Sequence, residues 1–261
     1  MIRYALLGCI QGLTEFLPVS SSGHLVLAER ILGLDPPGVF LEAMLHWGTL
    51  AAILIAFRRD LVALLRSLRG RGRIEDRKDV GFLIAASVPI VVVALVFRGP
   101  IEAAFSSILG VGIALCVTAG FLLVGHAWRR RERRPTVRFV DALAIGLAQA
   151  ASVFPGVSRS GTTISTGAAV GLTHAGAARF SFLLAIPALF GAGMLHLYDA
   201  LRTPFSVDWP GVAVGTACAF LVGWATLRLV LRLVRRQRFW LFAIYCGAVG
   251  IATIVGSQWW G

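Results

Sequence analysis

Acidic side chains are scarce: 13 Asp and Glu stand against 25 Lys and Arg in 261 residues, a formal net charge of +12. One basic patch of that size would suit nucleic acid. Here the arginines sit instead at the ends of apolar runs, where the orientation signals of membrane proteins belong, so nucleic acid is excluded as a partner. Cysteine is equally sparse. Cys9, Cys116, Cys218 and Cys246 lie far apart in apolar stretches with no Cys-x-x-Cys pattern, which excludes a thiolate metal or redox motif and leaves them as small buried hydrophobes. No signal-peptide cleavage pattern follows the first apolar segment, so the N-terminus is expected to belong to the fold. The excess is apolar. The chain is 57% hydrophobic with a mean hydropathy of +0.79, and long apolar runs broken by arginine clusters mark a polytopic membrane protein.

Six segments are long enough to cross a bilayer: 40–57, 80–97, 106–127, 176–198, 209–231 and 239–258. Segments 2–16 and 140–153 are apolar but shorter, and each runs into a Pro/Gly/Ser stretch that interrupts helix. They are expected to be re-entrant half-helices, each followed by a second short helix near 24–32 and 162–172. Pro187 is expected to kink the fourth span. Residues 58–78, 128–138 and 228–238 carry nineteen of the 25 basic residues, whereas linkers 98–105 and 199–208 carry only Arg98 and Arg202. The positive-inside rule makes the three basic linkers cytoplasmic, with Arg71 to Lys78 a solvated stretch. Trp128, Trp209, Trp240, Trp259 and Trp260 fall at span ends, as an interfacial belt does.

The chain also repeats itself. Laid over 146–161, the window 8–23 shares seven of sixteen residues: Gly8/Gly146, Gln11/Gln149, Phe16/Phe154, Val19/Val157, Ser20/Ser158, Ser22/Ser160 and Gly23/Gly161. This reads as an internal duplication. Each half is a re-entrant element followed by three spans, and an odd number of spans inverts the second half relative to the first. The expectation is one integral-membrane domain over 1–261, with inverted repeats at 1–134 and 135–261. The fold class is all-α polytopic, with six transmembrane helices and two re-entrant helix-turn-helix elements meeting near the midplane. A site should form at the repeat interface, where half-helix N-termini face an anion.

The two copies differ where chemistry would lie. The first has Glu15, Ser21 and His24 where the second has Val153, Arg159 and Thr162. In the second copy Pro155 and Gly156 break the incoming helix. Ser158, Ser160, Gly161 and Thr163 then flank a helix start suited to phosphate, and Arg159 adds a forked cation for two phosphate oxygens. In the first copy Gln11 and Glu15, four apart, share a helix face, beside Ser20 and Ser22. Glu15 could act as base, as acid or as ligand of a divalent cation, while Gln11 can orient but not ionise. Ser21 suits a nucleophile with His24 as its base; equally, His24 could itself take the phosphoryl group. Glu42 and His46 share the first span, and a cavity-lining position stays open for them. His126, His174 and His196, near helix ends, are expected to be interfacial.

These stretches resemble the bacterial undecaprenyl-pyrophosphate phosphatase family, the bacitracin-resistance proteins. The resemblance rests on Gln11 to Glu15, Ser20-Ser-Ser-Gly-His24 and Pro155 to Thr163, and extends to Arg179-Phe-Ser-Phe-Leu-Leu-Ala-Ile-Pro187. It implies hydrolysis of undecaprenyl pyrophosphate to undecaprenyl phosphate and phosphate, recycling the lipid carrier for peptidoglycan synthesis and conferring bacitracin resistance. It also implies roles for Glu15, Ser21, His24, Ser158, Arg159 and Thr163, and a divalent cation (Mg2+ or Ca2+), with Glu15 as its candidate ligand. Location in the bacterial inner membrane, a site opening to the outer face, and a second copy of the chain as partner complete the expectation. One rival class of membrane phosphatase needs a histidine after Ser-Arg; here Ser158-Arg159 is followed by Ser160-Gly-Thr-Thr-Ile-Ser165, so that class is excluded. A polyprenyl-phosphate flippase is the remaining rival, since inverted repeats with broken helices also build transporters.

Overall fold

A computed structural model describes residues 1–32, 38–128, 134–200, 207–235 and 239–259. Residues 129–133 and 236–238 of the basic linkers, Arg202 and Trp260 lie outside the described residues. The described chain is α-helical. It runs α1 (Ile2–Phe16), α2 (Ser21–Ile31), α3 (Gly38–Ala56), α4 (Arg58–Leu68), α5 (Ile74–Val96), α6 (Arg98–Phe105), α7 (Ile108–Ala127), α8 (Phe139–Ala150), α9 (Arg159–Ala169), α10 (His174–Ala200), α11 (Trp209–Arg235) and α12 (Phe239–Gly256).

Five helices, α5, α7, α10, α11 and α12, are long and apolar enough to cross a bilayer. The sixth expected span, 40–57, is α3, which meets that test only together with α4, and the two are bent by 75° at their junction. Two expected linkers prove helical. Residues 58–68 form α4, whose arginines leave one side while Leu64 and Ser67 are buried on the other, and residues 98–105 form α6. Both have the amphipathic spacing of a helix lying on a surface, a signal masked by their charge. Arg71, Arg73, Arg77 and Lys78 are exposed, as expected of the basic run. Trp128, Trp209, Trp240 and Trp259 are also exposed. Pro187 lies within α10, and Pro89 within α5.

The element order repeats. A short helix, a break and a second short helix (α1–α2, then α8–α9) are followed each time by three long helices (α3, α5, α7, then α10, α11, α12). Packing is reciprocal between halves: α1 lies on α11 and α8 on α5, while α3 meets α10 and α7 meets α12. The duplicated glycines explain the first pair of contacts. A Cβ on Gly8 would stand 2.2 Å from the Gly215 carbonyl oxygen, and one on Gly146 would stand 2.5 Å from that of Ala86. Without a hydrophobic drive between helices inside a bilayer, such backbone-to-backbone approach supplies the packing energy. Gly8→Val is therefore expected to lower the melting temperature in detergent by several degrees, the effect of about 1–3 kcal/mol of overpacking. An unchanged melting curve would contradict this contact.

Candidate active site

Both breaks are built alike. Ser20 and Ser158 are the N-caps of α2 and α9, and each side chain accepts a hydrogen bond from the N–H three residues on, Gly23 (3.3 Å) and Gly161 (3.0 Å). This is the arrangement that makes serine a preferred cap. The Oγ atoms of Ser20 and Ser22 lie 3.3 Å apart, as do those of Ser158 and Ser160. Ser20 alone among the described non-glycine residues has positive φ, +73°. Gly156, at +97°, has the left-handed conformation that glycine adopts without cost.

The two turns touch. The Gly156 N–H donates to Ser20 Oγ (3.2 Å), and Ser160 Oγ donates to the Leu17 carbonyl (3.0 Å). A Cβ on Gly23 would come within 2.9 Å of Gly156 Cα. Thr118, fully buried on α7, ties down the second turn: its hydroxyl donates to the Gly156 carbonyl and accepts from the Ser158 N–H, both at 2.9 Å. Nothing local in the sequence marks Thr118, because the partnership spans 40 residues.

Where the turns meet, side chains of the two halves join. Glu15 accepts from Ser21 Oγ (2.6 Å) and Gln11 Nε2 (3.0 Å) on one oxygen, and from Arg159 Nη2 (2.5 Å) on the other. The ion pair is almost wholly buried, with side-chain exposure of 4% for Glu15 and 11% for Arg159. A buried pair is tolerated only with further hydrogen bonds of this kind. Among the described residues Arg159 Nη1 is buried without a hydrogen-bond partner, so one arm of the fork is unused. Caps and Thr118 consume the N–H groups of Ser158 and Gly161. Those of Ser21 and Ser22, and of Arg159 and Ser160, have no partner among the described residues. The free donors at the second turn are thus Arg159 and Ser160 rather than the Ser158, Ser160 and Gly161 set suggested by the motif.

A cavity of about 1090 Å³ opens onto this constellation, lined by Glu15, Ser20, Ser21, Ser22, Ser158 and Arg159. Gln11, His24, Gly156, Ser160, Gly161 and Thr163 do not line it. They hold the parts in place. Thr163 Oγ1 donates to the Arg159 carbonyl (2.7 Å) and bonds Ser181 Oγ (2.6 Å). His24 is not brought to Ser21: its Nδ1 donates to the Ser20 carbonyl (2.7 Å), and its Nε2 bonds the Tyr245 hydroxyl (2.8 Å) while the two rings stack. Three-residue spacing across a capped turn allowed a Ser–His pair, but the backbone carbonyl of the cap claimed the imidazole.

The cavity continues past Glu42 and His46 of α3 to His196 on α10, with Arg98, Glu102 and Asp199 near α6. His196 lines this cavity close to the C-terminal end of α10, and His174 is buried (4% exposed) beside Phe239. Two fitting conditions for a resident divalent cation fail. Among the described residues no three His, Cys, Asp or Glu converge as ligands, and Glu15 has both oxygens engaged while Gln11 supplies no second carboxylate. No step below runs through a metal.

The family described as bacitracin resistance protein BacA matches residues 4–252. The chain belongs to that family. A protein of Syntrophotalea carbinolica named undecaprenyl-diphosphatase is 41% identical over 249 residues, covering 94% of each chain. One of Rubrobacter xylanophilus with the same name is 42% identical over 255 residues, again 94% of each. A third, from Methanosphaera stadtmanae, is 34% identical over 268 residues, covering 97% of this chain and 96% of its own. The BacA match contains both turns and every residue of the constellation.

Proposed function

We propose that this membrane protein is an undecaprenyl-diphosphatase, cleaving undecaprenyl pyrophosphate to undecaprenyl phosphate and phosphate. The observation that carries the reading is the buried Ser21–Glu15–Arg159 constellation at the cavity floor. Phosphoryl transfer is mainly positioning and charge neutralisation. The free arm of Arg159, with the unpaired N–H groups of Ser21, Ser22 and Arg159, offers donors for the oxygens of the terminal phosphate. Ser21 Oγ attacks phosphorus as its proton passes to Glu15; the anhydride P–O bond breaks and undecaprenyl phosphate leaves, taking that proton. Water then attacks the phosphoserine, giving a proton to Glu15 while Ser21 Oγ regains one, and phosphate departs. The hydroxyl already held 2.6 Å from the carboxylate favours serine over histidine as the attacking group. The relatives carry a hydrolase name, which favours hydrolysis over transport alone.

The lipid tail has a route. A second, apolar cavity of about 510 Å³ lies between α4, α5 and α10 and shares Val91 and Pro187 with the first. Helix α5 buries only Ala86, so this wall faces lipid, and the prolines of α5 and α10 weaken the helices at the gap. The polyprenyl chain leaves the site through this opening. Val91→Trp is expected to lower kcat/KM for the undecaprenyl substrate about tenfold or more and to spare farnesyl pyrophosphate. An equal loss on both would place the tail elsewhere. The repeats are inverted, the basic linkers face the cytoplasm, and the cavity mouth beside α6 opens to the outer face of the bacterial inner membrane. A cysteine at Gly70, exposed after α4, is expected to resist an impermeant thiol reagent in intact cells; external labelling would reverse the topology.

The test of function is product analysis. Purified protein incubated with undecaprenyl pyrophosphate is expected to yield undecaprenyl phosphate and inorganic phosphate in equal amounts. Intact substrate after prolonged incubation with well-folded protein would overturn the assignment.

A further inference from the structure

The charges lining the cavity do not balance. Four carboxylates, Glu15, Glu42, Glu102 and Asp199, face two guanidinium groups, Arg98 and Arg159. Arg98 already binds both Glu102 (2.7 Å) and Asp199 (2.9 Å), and Arg159 binds Glu15. A diphosphate brings two phosphates into this space, and Arg159 with the helix starts can serve only the terminal one. The second phosphate needs cations that the arginines do not supply.

Two imidazoles lie in position. His46 on α3 and His196 on α10 both line the cavity, with ring centroids 6.0 Å apart and planes at 88°. His46, like Glu15 and Ser21, lines the cavity. Its Nδ1 carries the hydrogen, donating to the Glu42 carbonyl at 2.8 Å, so on the neutral ring Nε2 is an acceptor only. His196 Nδ1 is buried and has no hydrogen-bond partner among the described residues. Neither ring has a role in the chemistry above. Both rings line the cavity, and the buried Nδ1 of His196 is without a partner among the described residues.

We propose that His46 and His196 form the seat of the second, lipid-linked phosphate, and that they take up protons as the diphosphate binds. The inference rests on the phosphatase reading and names the part of the substrate that this end of the cavity recognises. His46 can donate from Nε2 to a phosphate oxygen only as the imidazolium, since Nδ1 is already spent. A charge in a half-buried ring is costly until an opposite charge arrives, and the entering phosphate supplies it. All groups facing the pair bear on the balance: Glu42 on α3, Glu15 on α1, Arg159 on α9, Asp199 on α10, and Arg98 with Glu102 on α6. Of these the carboxylates favour the imidazolium and the arginines oppose it. The seat also separates substrate from product, because undecaprenyl monophosphate cannot fill both the Arg159 and the histidine positions at once.

Binding of farnesyl methylenediphosphonate, a non-hydrolysable diphosphate, is to be measured by calorimetry at pH 7.5 in buffers of different ionisation enthalpy. Wild type is expected to take up about one proton or more per ligand, and His46→Gln and His196→Gln to take up fewer. Because the ligand's own titration is common to all three proteins, the difference reports the rings. In turnover of undecaprenyl pyrophosphate, His46→Gln is expected to raise KM roughly tenfold at pH 6, the loss of one charge-assisted hydrogen bond. Its KM is also expected to vary less with pH than that of wild type. Equal proton uptake in all three proteins, or KM profiles that superimpose, would overturn the histidine seat while leaving the phosphatase standing. Failure of wild type to hydrolyse the substrate would overturn the phosphatase reading instead.

Discussion

Arg159→Ala is expected to reduce kcat for undecaprenyl pyrophosphate by roughly a thousandfold while leaving a folded, monodisperse protein. The size follows from what an arginine is worth at a phosphoryl group in transfer, about 10³-fold or more. The fold should survive because the α9 start is held by other contacts: the Ser158 cap, Thr118 and the Gly156–Ser20 link. The substitution does leave Glu15 buried with a hydrogen-bonded serine but no cation, so some stability is lost with the activity. Arg159→Lys separates charge from geometry. Lysine restores the cation but not the fork that serves Glu15 with one arm and leaves Nη1 for the ligand, so rescue should be slight. Steady-state kinetics on samples matched by melting temperature check both variants, and near-wild-type turnover in Arg159→Ala would remove the phosphate from this position.

Glu15→Gln is the second large effect. The amide fills the same space and can still bond Ser21, but it accepts no proton. Loss of a positioned general base costs about 10²–10⁴-fold, and that loss is expected in kcat. Arg159, freed from its carboxylate partner, remains available to phosphate, so KM should stay flat or fall. A rise in KM at constant kcat would make Glu15 a binding group rather than a base.

The sequence made the scaffold legible through identity and the chemistry through difference. The residues shared by the two copies recur in equivalent structural tasks: Gly8 and Gly146 permit helix contacts, Ser20 and Ser158 cap, and the serines two residues on bond the caps. The positions that diverge, Ser21 against Arg159, are both first residues of their helices and both line one cavity. Glu15 joins them because it lies one helical turn after Gln11. What stayed hidden depended on distance along the chain. Thr118 and Tyr245 meet the turns from helices far away in sequence, and Ser181 meets Thr163 from the next helix; no periodicity announces such partners. Tyr245 and the Ser20 carbonyl between them draw His24 away from Ser21, which spacing alone could not foretell. The helices α4 and α6 stayed hidden for another reason: α4 is dense in arginine and α6 has glycine and proline in its first turn, so both look like linkers.

Both halves contribute to one active site, and a double-mutant cycle across them reads that coupling. Glu15 and Arg159 are 144 residues apart yet share one buried contact. Phosphate release from undecaprenyl pyrophosphate is to be measured for wild type, Glu15→Gln, Arg159→Ala and the double variant. Groups that act as a unit are strongly non-additive, so the double variant is expected to be little slower than the worse single one. Losses that multiply would mean that the two residues act independently, and would contradict a shared site.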